Sequence, residues 1–112
     1  MTGRINYTPE ADKQLNELDN WITKAASAEV ARRFVSAILD HIDSILVFPL
    51  AGRARDDVRP GMRTSTFKKT LVAYEVDESS DELVVSILGV FHGGQDWEAA
   101  LGDDQGDPQA DR

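Results

Sequence analysis

The spacing of apolar residues changes once along the chain, and residues 48–63 mark the change. Before this segment apolar residues recur every three or four positions, as in amphipathic helices, and after it they form short runs typical of strands. The segment, FPLAGRARDDVRPGMR, holds four arginines among two prolines and two glycines. Proline and glycine interrupt regular structure, and connections of this length in compact domains are usually functional or disordered. We predict a functional, basic loop.

Two amphipathic helices are predicted ahead of this loop, preceded by a short strand at Arg4–Tyr7. Thr8-Pro9-Glu10 is typical of a helix start, because threonine caps free amides, proline suits the first helical position and glutamate complements the helix dipole. Ser27 offers a second N-cap. The apolar stripes are Ala11, Leu15, Leu18, Ile22 and Ala25 in the first helix and Ala31, Phe34, Val35, Ile38, Ile42, Ile45 and Leu46 in the second. Only a few residues separate the two stripes. Helices joined by so short a turn pack as an antiparallel hairpin.

Three strands are predicted after the loop, at Met62–Phe67, Lys69–Val76 and Leu83–Phe91. The last run is almost entirely apolar, as expected of a strand in the middle of a sheet that helices cover. Helices followed by strands are typical of an α+β domain. The predicted fold is therefore an N-terminal short strand and an antiparallel helical hairpin packed on a small antiparallel β-sheet, in the order β-α-α-β-β-β.

The length of 112 residues fits one domain with one hydrophobic core. We place this domain at residues 1–101 and predict an acidic, disordered tail at residues 102–112, because its acids, Gly106 and Pro108 cannot build a core. Residues 1–74 carry eleven Lys and Arg against nine Asp and Glu, whereas residues 75–112 carry one Arg against eleven acids. Nucleic-acid binding through bulk charge favours a larger basic surplus, so no direct sequence-specific DNA binding is expected of this chain alone.

Composition also argues against several kinds of site. The chain has no cysteine, which removes disulfides, thiolate metal sites and cysteine nucleophiles. Its two histidines, His41 and His92, are distant in sequence and share no ligand spacing, so neither a metal nor another cofactor is expected. No apolar run reaches the roughly 18 residues of a membrane helix, and the N-terminus resembles no signal peptide. We expect a cytoplasmic protein that does not bind membranes.

Candidate chemistry is confined to the loop and to the strands that follow it. His92, Tyr74 and the arginines Arg55, Arg59 and Arg63 would together suit RNA cleavage, with histidine or tyrosine moving protons and arginine stabilising charge on phosphorus. The candidate catalytic residues are Arg63, Tyr74 and His92. The alternative is that Tyr74 and His92 are structural residues at the core edge and that the arginines bind acidic residues of a partner. Residue types alone leave both readings open.

Three segments together resemble one protein family. They are the loop segment Pro49–Arg63, the strand segment Val72–Val76 and the final run Ile87–Asp96, ILGVFHGGQD. In this order they are similar to the ParE branch of the RelE/ParE toxins, which belong to type II toxin–antitoxin operons. Thr8-Pro9-Glu10-Ala11 ahead of a leucine-striped helix matches the family's usual opening, and the resemblance covers about residues 4–98. The family fold, a helical hairpin against a small antiparallel sheet, agrees with the fold predicted from periodicity.

The resemblance implies a toxin that inhibits DNA gyrase and so stalls replication, the activity associated with ParE-like toxins. RelE-like toxins instead cut messenger RNA on the ribosome, using a dense set of lysines and arginines and a C-terminal tyrosine or histidine. Here His92 is followed by glycines rather than by tyrosine or arginine, which favours inhibition by binding over catalysis. The alternatives are a RelE-like ribosome-dependent mRNA endonuclease, and a degenerate toxin that acts only as an antitoxin-binding module.

The resemblance also implies a ParD-like antitoxin, in a hetero-oligomer expected to be a heterotetramer or larger. A helical hairpin and an exposed sheet edge offer such a partner two docking modes, a helix in a groove and an added strand. The candidate partner-binding residues are Arg53, Arg55 and Arg59 in the loop and Leu15, Leu18 and Trp21 in the first helix.

Overall fold

The computed structural model describes residues 3–79, 81–93 and 97–102. Within these residues the elements are β1 (Gly3–Tyr7), α1 (Pro9–Ala25), α2 (Ala28–Ile45), β2 (Arg53–Ala54), β3 (Met62–Phe67), β4 (Thr70–Asp77), β5 (Leu83–His92) and α3 (Trp97–Gly102). The predicted α+β class and the β-α-α-β-β-β order of its main elements are confirmed. None of the described helices is both long and apolar enough to cross a membrane.

Both predicted helix starts are confirmed. The Thr8 hydroxyl accepts a hydrogen bond from the Ala11 amide at 3.3 Å and donates one to the Ile87 carbonyl at 2.7 Å, so the cap also ties α1 to β5. Pro9 occupies the first turn of α1. Ser27 caps α2 by accepting from the Val30 amide at 3.1 Å.

The sheet contains five strands in the order β1-β5-β4-β3-β2, and it is mixed rather than antiparallel. β1 pairs with β5 in parallel, placing Arg4 opposite Val84, whereas the other three pairings are antiparallel. The predicted small antiparallel sheet corresponds to β2–β5, and the parallel attachment of β1 at its edge was not predicted. A parallel pairing needs a long crossover connection, and the helical hairpin forms the first part of that connection. The sequence of β1 does not reveal its direction, because side chains alternate along a strand in the same way in parallel and antiparallel pairings.

The two faces of the sheet are covered by different parts of the chain. The helical hairpin packs on one face and builds the main core, whose buried strand residues are Val72, Tyr74, Val85, Ile87 and Val90. On the other face a smaller buried cluster joins Leu101 of α3 to Met62, Ala73 and Phe91. No element was predicted for α3, because six residues are too few to show a helical period.

The boundary predicted at residues 101 and 102 falls at the end of α3, which includes Gly102. The remainder of the predicted tail, residues 103–112, lies outside the described part of the chain. The proposed division into domain and tail therefore stays a prediction.

Candidate functional site

The basic loop has a defined backbone structure. The Arg55 amide donates to the Met62 carbonyl at 2.8 Å, which closes residues 55–62 into a turn. Within the turn, a carboxylate oxygen of Asp56 accepts from the Gly61 amide at 2.8 Å. Gly61 has φ of 81°, a left-handed conformation that glycine adopts without strain. The loop therefore presents its side chains from a fixed backbone.

Arg55 is engaged inside the protein. Its guanidinium binds both carboxylate oxygens of Asp57, at 2.8 and 2.7 Å, and also binds Glu98 of α3 at 2.7 Å. The hydrogen bond from Arg55 lowers the pKa of Asp57 to about 2, and the bonds to Asp57 and Glu98 raise the pKa of Arg55. This predicted partner-binding residue thus fastens the loop to α3. Arg53 is exposed and Arg59 is half-buried.

Tyr74 and Arg63, two of the candidate catalytic residues, hold the first part of the loop. Tyr74 is only 1% exposed, and its hydroxyl donates to the Pro49 carbonyl at 2.9 Å and accepts from the Gly52 amide at 3.1 Å. Arg63 donates from one nitrogen to the carbonyls of Leu50 and Gly52, at 3.0 and 2.8 Å. These contacts form a clamp around residues 49–52.

The clamp explains one glycine of the loop and the state of the phenol. A Cβ atom at Gly52 would collide with the Tyr74 hydroxyl and lie 2.8 Å from the Thr64 carbonyl oxygen, so only glycine fits. Burial raises the pKa of Tyr74, while the Gly52 amide and the Arg63 charge act in the opposite direction. Since the raised pKa keeps the phenol protonated near neutral pH, Tyr74 is suited to holding the loop and unsuited to removing a proton.

His92, the third candidate catalytic residue, lies elsewhere on the sheet. It pairs with Thr70 at the far end of β4, and its Nδ1 is 3.0 Å from the Thr70 hydroxyl. Thr70 precedes Tyr74 by four residues, which at about 3.3 Å per residue separates the two positions by about 13 Å. The structure brings Arg63 and Tyr74 together but does not bring His92 to them. A single site containing all three side chains is absent from this arrangement of the described residues.

His92 instead borders a groove between α1 and the end of β5. Its ring centroid lies 5.5 Å from that of Phe34 and 6.1 Å from that of Trp21, which is 60% exposed. We call this feature the Trp21 groove. It has a volume of about 680 Å³ and is lined by Gln14, Glu17, Leu18, Trp21, Lys69, Val90, His92 and Gly93.

The predicted partner-binding residues of α1 differ in what they offer a partner. Leu15 and Leu18 are both buried in the main core, and only Leu18 also borders the Trp21 groove. Trp21 is exposed at the rim. Because an interface gains from burying side chains that solvent reaches in the free protein, Trp21 is the α1 residue best placed for binding.

A second apolar surface was missed by the sequence analysis. Val47, Phe48 and Leu50 follow α2 and are 66%, 71% and 55% exposed, and we call these three residues the apolar tip. A cavity of about 360 Å³ beside them is lined by Ser44, Ile45, Val47, Phe48, Ala51, Gly52, Ser65 and Tyr74. The available signal was the presence of apolar residues beside Pro49, where the helical period has already ended. Within the described residues no group of three or more His, Cys, Asp or Glu side chains is placed to hold a metal ion.

The class of fold is shown by solved structures. A chain of the chromosomal ParDE toxin–antitoxin system from P. aeruginosa has a TM-score of 0.66 to this chain at 18% identity, covering 81% of this chain and 96% of that one. A chain of the toxin–antitoxin complex RelBE2 from Mycobacterium tuberculosis has a TM-score of 0.60 at 18% identity, covering 83% and 100%. The fold is thus one found in toxin–antitoxin systems.

The family is shown by sequence comparison. Residues 5–97 match the family described as the ParE toxin of the type II toxin–antitoxin system parDE. Toxin ParE3 from Caulobacter vibrioides is 31% identical over 104 residues, which cover 89% of this chain and 96% of ParE3. The chain belongs to the ParE toxin family, and the resemblance drawn from the loop and strand segments is confirmed.

Proposed function

We propose that this ParE-type toxin acts in the cytoplasm by binding and inhibiting DNA gyrase, and that a ParD-like antitoxin neutralises it. One observation supports action by binding rather than by catalysis. Tyr74 and Arg63 are occupied in the clamp around residues 49–52, and His92 lies about 13 Å away along β4. Acid–base catalysis requires its groups within hydrogen-bonding reach of one reacting centre, so this arrangement supports a toxin that works without proton transfer.

The antitoxin is proposed to bind at the Trp21 groove. An exposed tryptophan beside an apolar floor suits an amphipathic helix, whose apolar side chains enter the groove while its polar face remains in solvent. Lys69 and Glu17 at the same groove supply charges of both signs that would orient the helix. The complex is expected to be a hetero-oligomer of toxin and antitoxin chains, with a heterotetramer as the smallest form.

The alternative function is that of a ribosome-dependent mRNA endonuclease. It draws on the fold shared with a chain of the RelBE2 complex and on the closeness of Arg63 to Tyr74. In that case Arg63 would stabilise charge on phosphorus and a further group would have to move the proton. The third candidate, a degenerate toxin, would bind the antitoxin and do nothing else.

These functions are separated by two assays with the purified toxin. Gyrase inhibition predicts loss of supercoiling activity and intact messenger RNA in a translating extract. His92→Gln, which cannot transfer a proton, should change gyrase inhibition by less than about threefold, whereas loss of a general acid or base costs about a hundredfold to ten-thousandfold in rate. His41→Gln, which removes the other histidine, is the matched control.

Cleavage of messenger RNA that disappears in His92→Gln but persists in His41→Gln would contradict the proposal and favour the endonuclease. Absence of both activities, with tight antitoxin binding retained, would identify a degenerate toxin. Each outcome assigns one of the three functions, because antitoxin binding reports on folding independently of activity.

A further inference from the structure

The apolar tip is a cluster of exposed hydrophobic side chains. Three of the five large apolar side chains that are exposed in the described part of the chain lie between residues 47 and 50. Phe48 alone is 71% exposed. Clustered apolar exposure on a small domain marks a contact surface, and a protruding aromatic side chain is typical of the residues that dominate binding energy.

Hydrogen bonds fix the backbone of the apolar tip. Phe48 accepts from the Ala51 amide, Pro49 accepts from the Tyr74 hydroxyl, and Leu50 accepts from Arg63, at 3.1, 2.9 and 3.0 Å. Three consecutive carbonyls therefore accept hydrogen bonds, while the apolar side chains of the tip remain exposed. A surface already fixed in the free protein loses little conformational entropy on binding, which raises the affinity obtained from a given contact.

Two arginines lie beside the tip, and one of them, Arg53, is also close enough to Asp57 to add to the effect of the Arg55 hydrogen bond in lowering the pKa of that carboxyl. Arg53 follows the clamped segment directly and is exposed, and Arg63 binds the Leu50 carbonyl beneath the tip. None of the described residues that line the cavity beside the tip is acidic. Arg53 is therefore the charged side chain that this surface offers to acidic groups on a partner.

The tip and the Trp21 groove lie at opposite ends of the helical hairpin. Phe34, which contacts the His92 ring at the groove, precedes Ile45 at the tip cavity by eleven residues of α2, a separation of about 16 Å. An antitoxin helix seated in the groove would leave the tip uncovered unless a further segment reached it. The molecule therefore has two separate surfaces on which exposed apolar side chains and a cavity occur together.

We propose that the apolar tip is the surface through which the toxin binds its target, a protein with an apolar cleft that receives Phe48 and with Asp or Glu side chains beside it that meet Arg53. The inference rests on the proposed function, because a toxin that acts by binding needs a surface for its target besides the one for its antitoxin. Phe48 is the anchor, and Val47 and Leu50 exclude water around it.

The test compares single substitutions of exposed residues. Phe48→Ser should raise the toxin concentration for half-inhibition of gyrase supercoiling by about tenfold or more. It should change affinity for the proposed ParD-like antitoxin by less than about threefold, with no loss of melting temperature. Val30→Ser, which removes another exposed apolar side chain, is the matched control and should change neither activity. Trp21→Ala should show the reverse pattern and weaken antitoxin binding only.

The proposal is overturned if Phe48→Ser inhibits supercoiling like the wild type, or if it loses antitoxin affinity in parallel with inhibition. Binding of the wild-type toxin to a labelled DNA duplex without gyrase, lost in Phe48→Ser, would also overturn it by making nucleic acid the occupant. If the wild type does not inhibit gyrase, the proposed function fails, and growth arrest replaces supercoiling as the readout. Relief of arrest by Phe48→Ser with antitoxin affinity kept then supports the tip, and unchanged arrest contradicts it.

Discussion

Tyr74 and Gly52 form a hydrogen bond that each residue depends on, in which the Gly52 amide donates to the Tyr74 hydroxyl. The buried hydroxyl needs a donor and an acceptor, and the loop supplies both through the Gly52 amide and the Pro49 carbonyl. Glycine is required because a Cβ atom at residue 52 would occupy the position of the hydroxyl. The loop shape therefore depends on a pair of residues 22 positions apart in the chain.

A double-mutant cycle measures this dependence. Tyr74→Phe should lower the free energy of unfolding by about 1–3 kcal/mol, because the Gly52 amide and the Pro49 carbonyl lose a buried partner. Gly52→Ala should destabilise the wild type more than it destabilises Tyr74→Phe, since the nearest colliding atom is then gone. Urea unfolding of the four proteins should give a coupling of about 0.5–3 kcal/mol. Strictly additive effects would show that the two residues do not meet.

At the scale of elements, α3 depends on the rest of the domain. A helix of six residues is too short to be stable alone, so its conformation relies on tertiary contacts. Leu101 packs in the smaller core cluster with Met62 and Phe91, while Glu98 binds Arg55 at the surface. Burial of the leucine is expected to dominate, because an exposed ion pair contributes at most about 1 kcal/mol.

Two truncations test which part of α3 contributes stability. A chain ending at Gly102 should unfold at the same urea concentration as the full chain, in agreement with the prediction that the tail builds no core. A chain ending at Ala100 loses Leu101 and should be less stable by about 2 kcal/mol or more. Glu98→Gln in the full chain should cost less than about 1 kcal/mol. A large loss already at Gly102 would mean that residues 103–112 contribute contacts of their own.

At the scale of the whole molecule, Phe48 and Trp21, the main residues of the two proposed contact surfaces, lie outside the main core. The main core joins the hairpin to the sheet, the clamp joins the loop to β4, and the proposed contact surfaces lie at the two ends of the hairpin. Substitutions at Phe48 and Trp21 are therefore expected to alter binding with little effect on folding. Acid stability, in contrast, is a property to which every titrating group contributes.

His41 makes stability depend on pH near neutrality. Its Nε2 lies 2.7 Å from the Ser65 hydroxyl, its ring stacks on Phe67 at 5.2 Å, and burial lowers its pKa below 6.5. The unfolded chain therefore binds this proton more readily than the folded protein, so stability is fully present above pH 6.5 and is lost as pH falls through the folded pKa. Unfolding free energies measured from pH 8 to 5 should fall more steeply for wild type than for His41→Gln. Parallel curves would contradict this.

Local patterns were sufficient to determine much of this protein from its sequence. Thr8 and Ser27 start helices because a cap acts on amides within a few residues, and the apolar stripes identify the faces that pack. The strands and the basic loop follow from composition within short windows, and the family follows from residue order in three segments. All of these features depend on near neighbours, which the sequence displays directly.

Only the tertiary structure decided how distant segments meet. The parallel pairing of β1, the engagement of Arg55 by Glu98 and the distance between His92 and Tyr74 depend on strand direction and register over dozens of residues. The candidate residues had been chosen by chemical type, and the structure distributes them among the clamp, the Trp21 groove and the main core. The apolar residues beside Pro49 were a local signal, but the exposure of Phe48 results from where the clamp places the loop, and that position depends on residues distant in the chain.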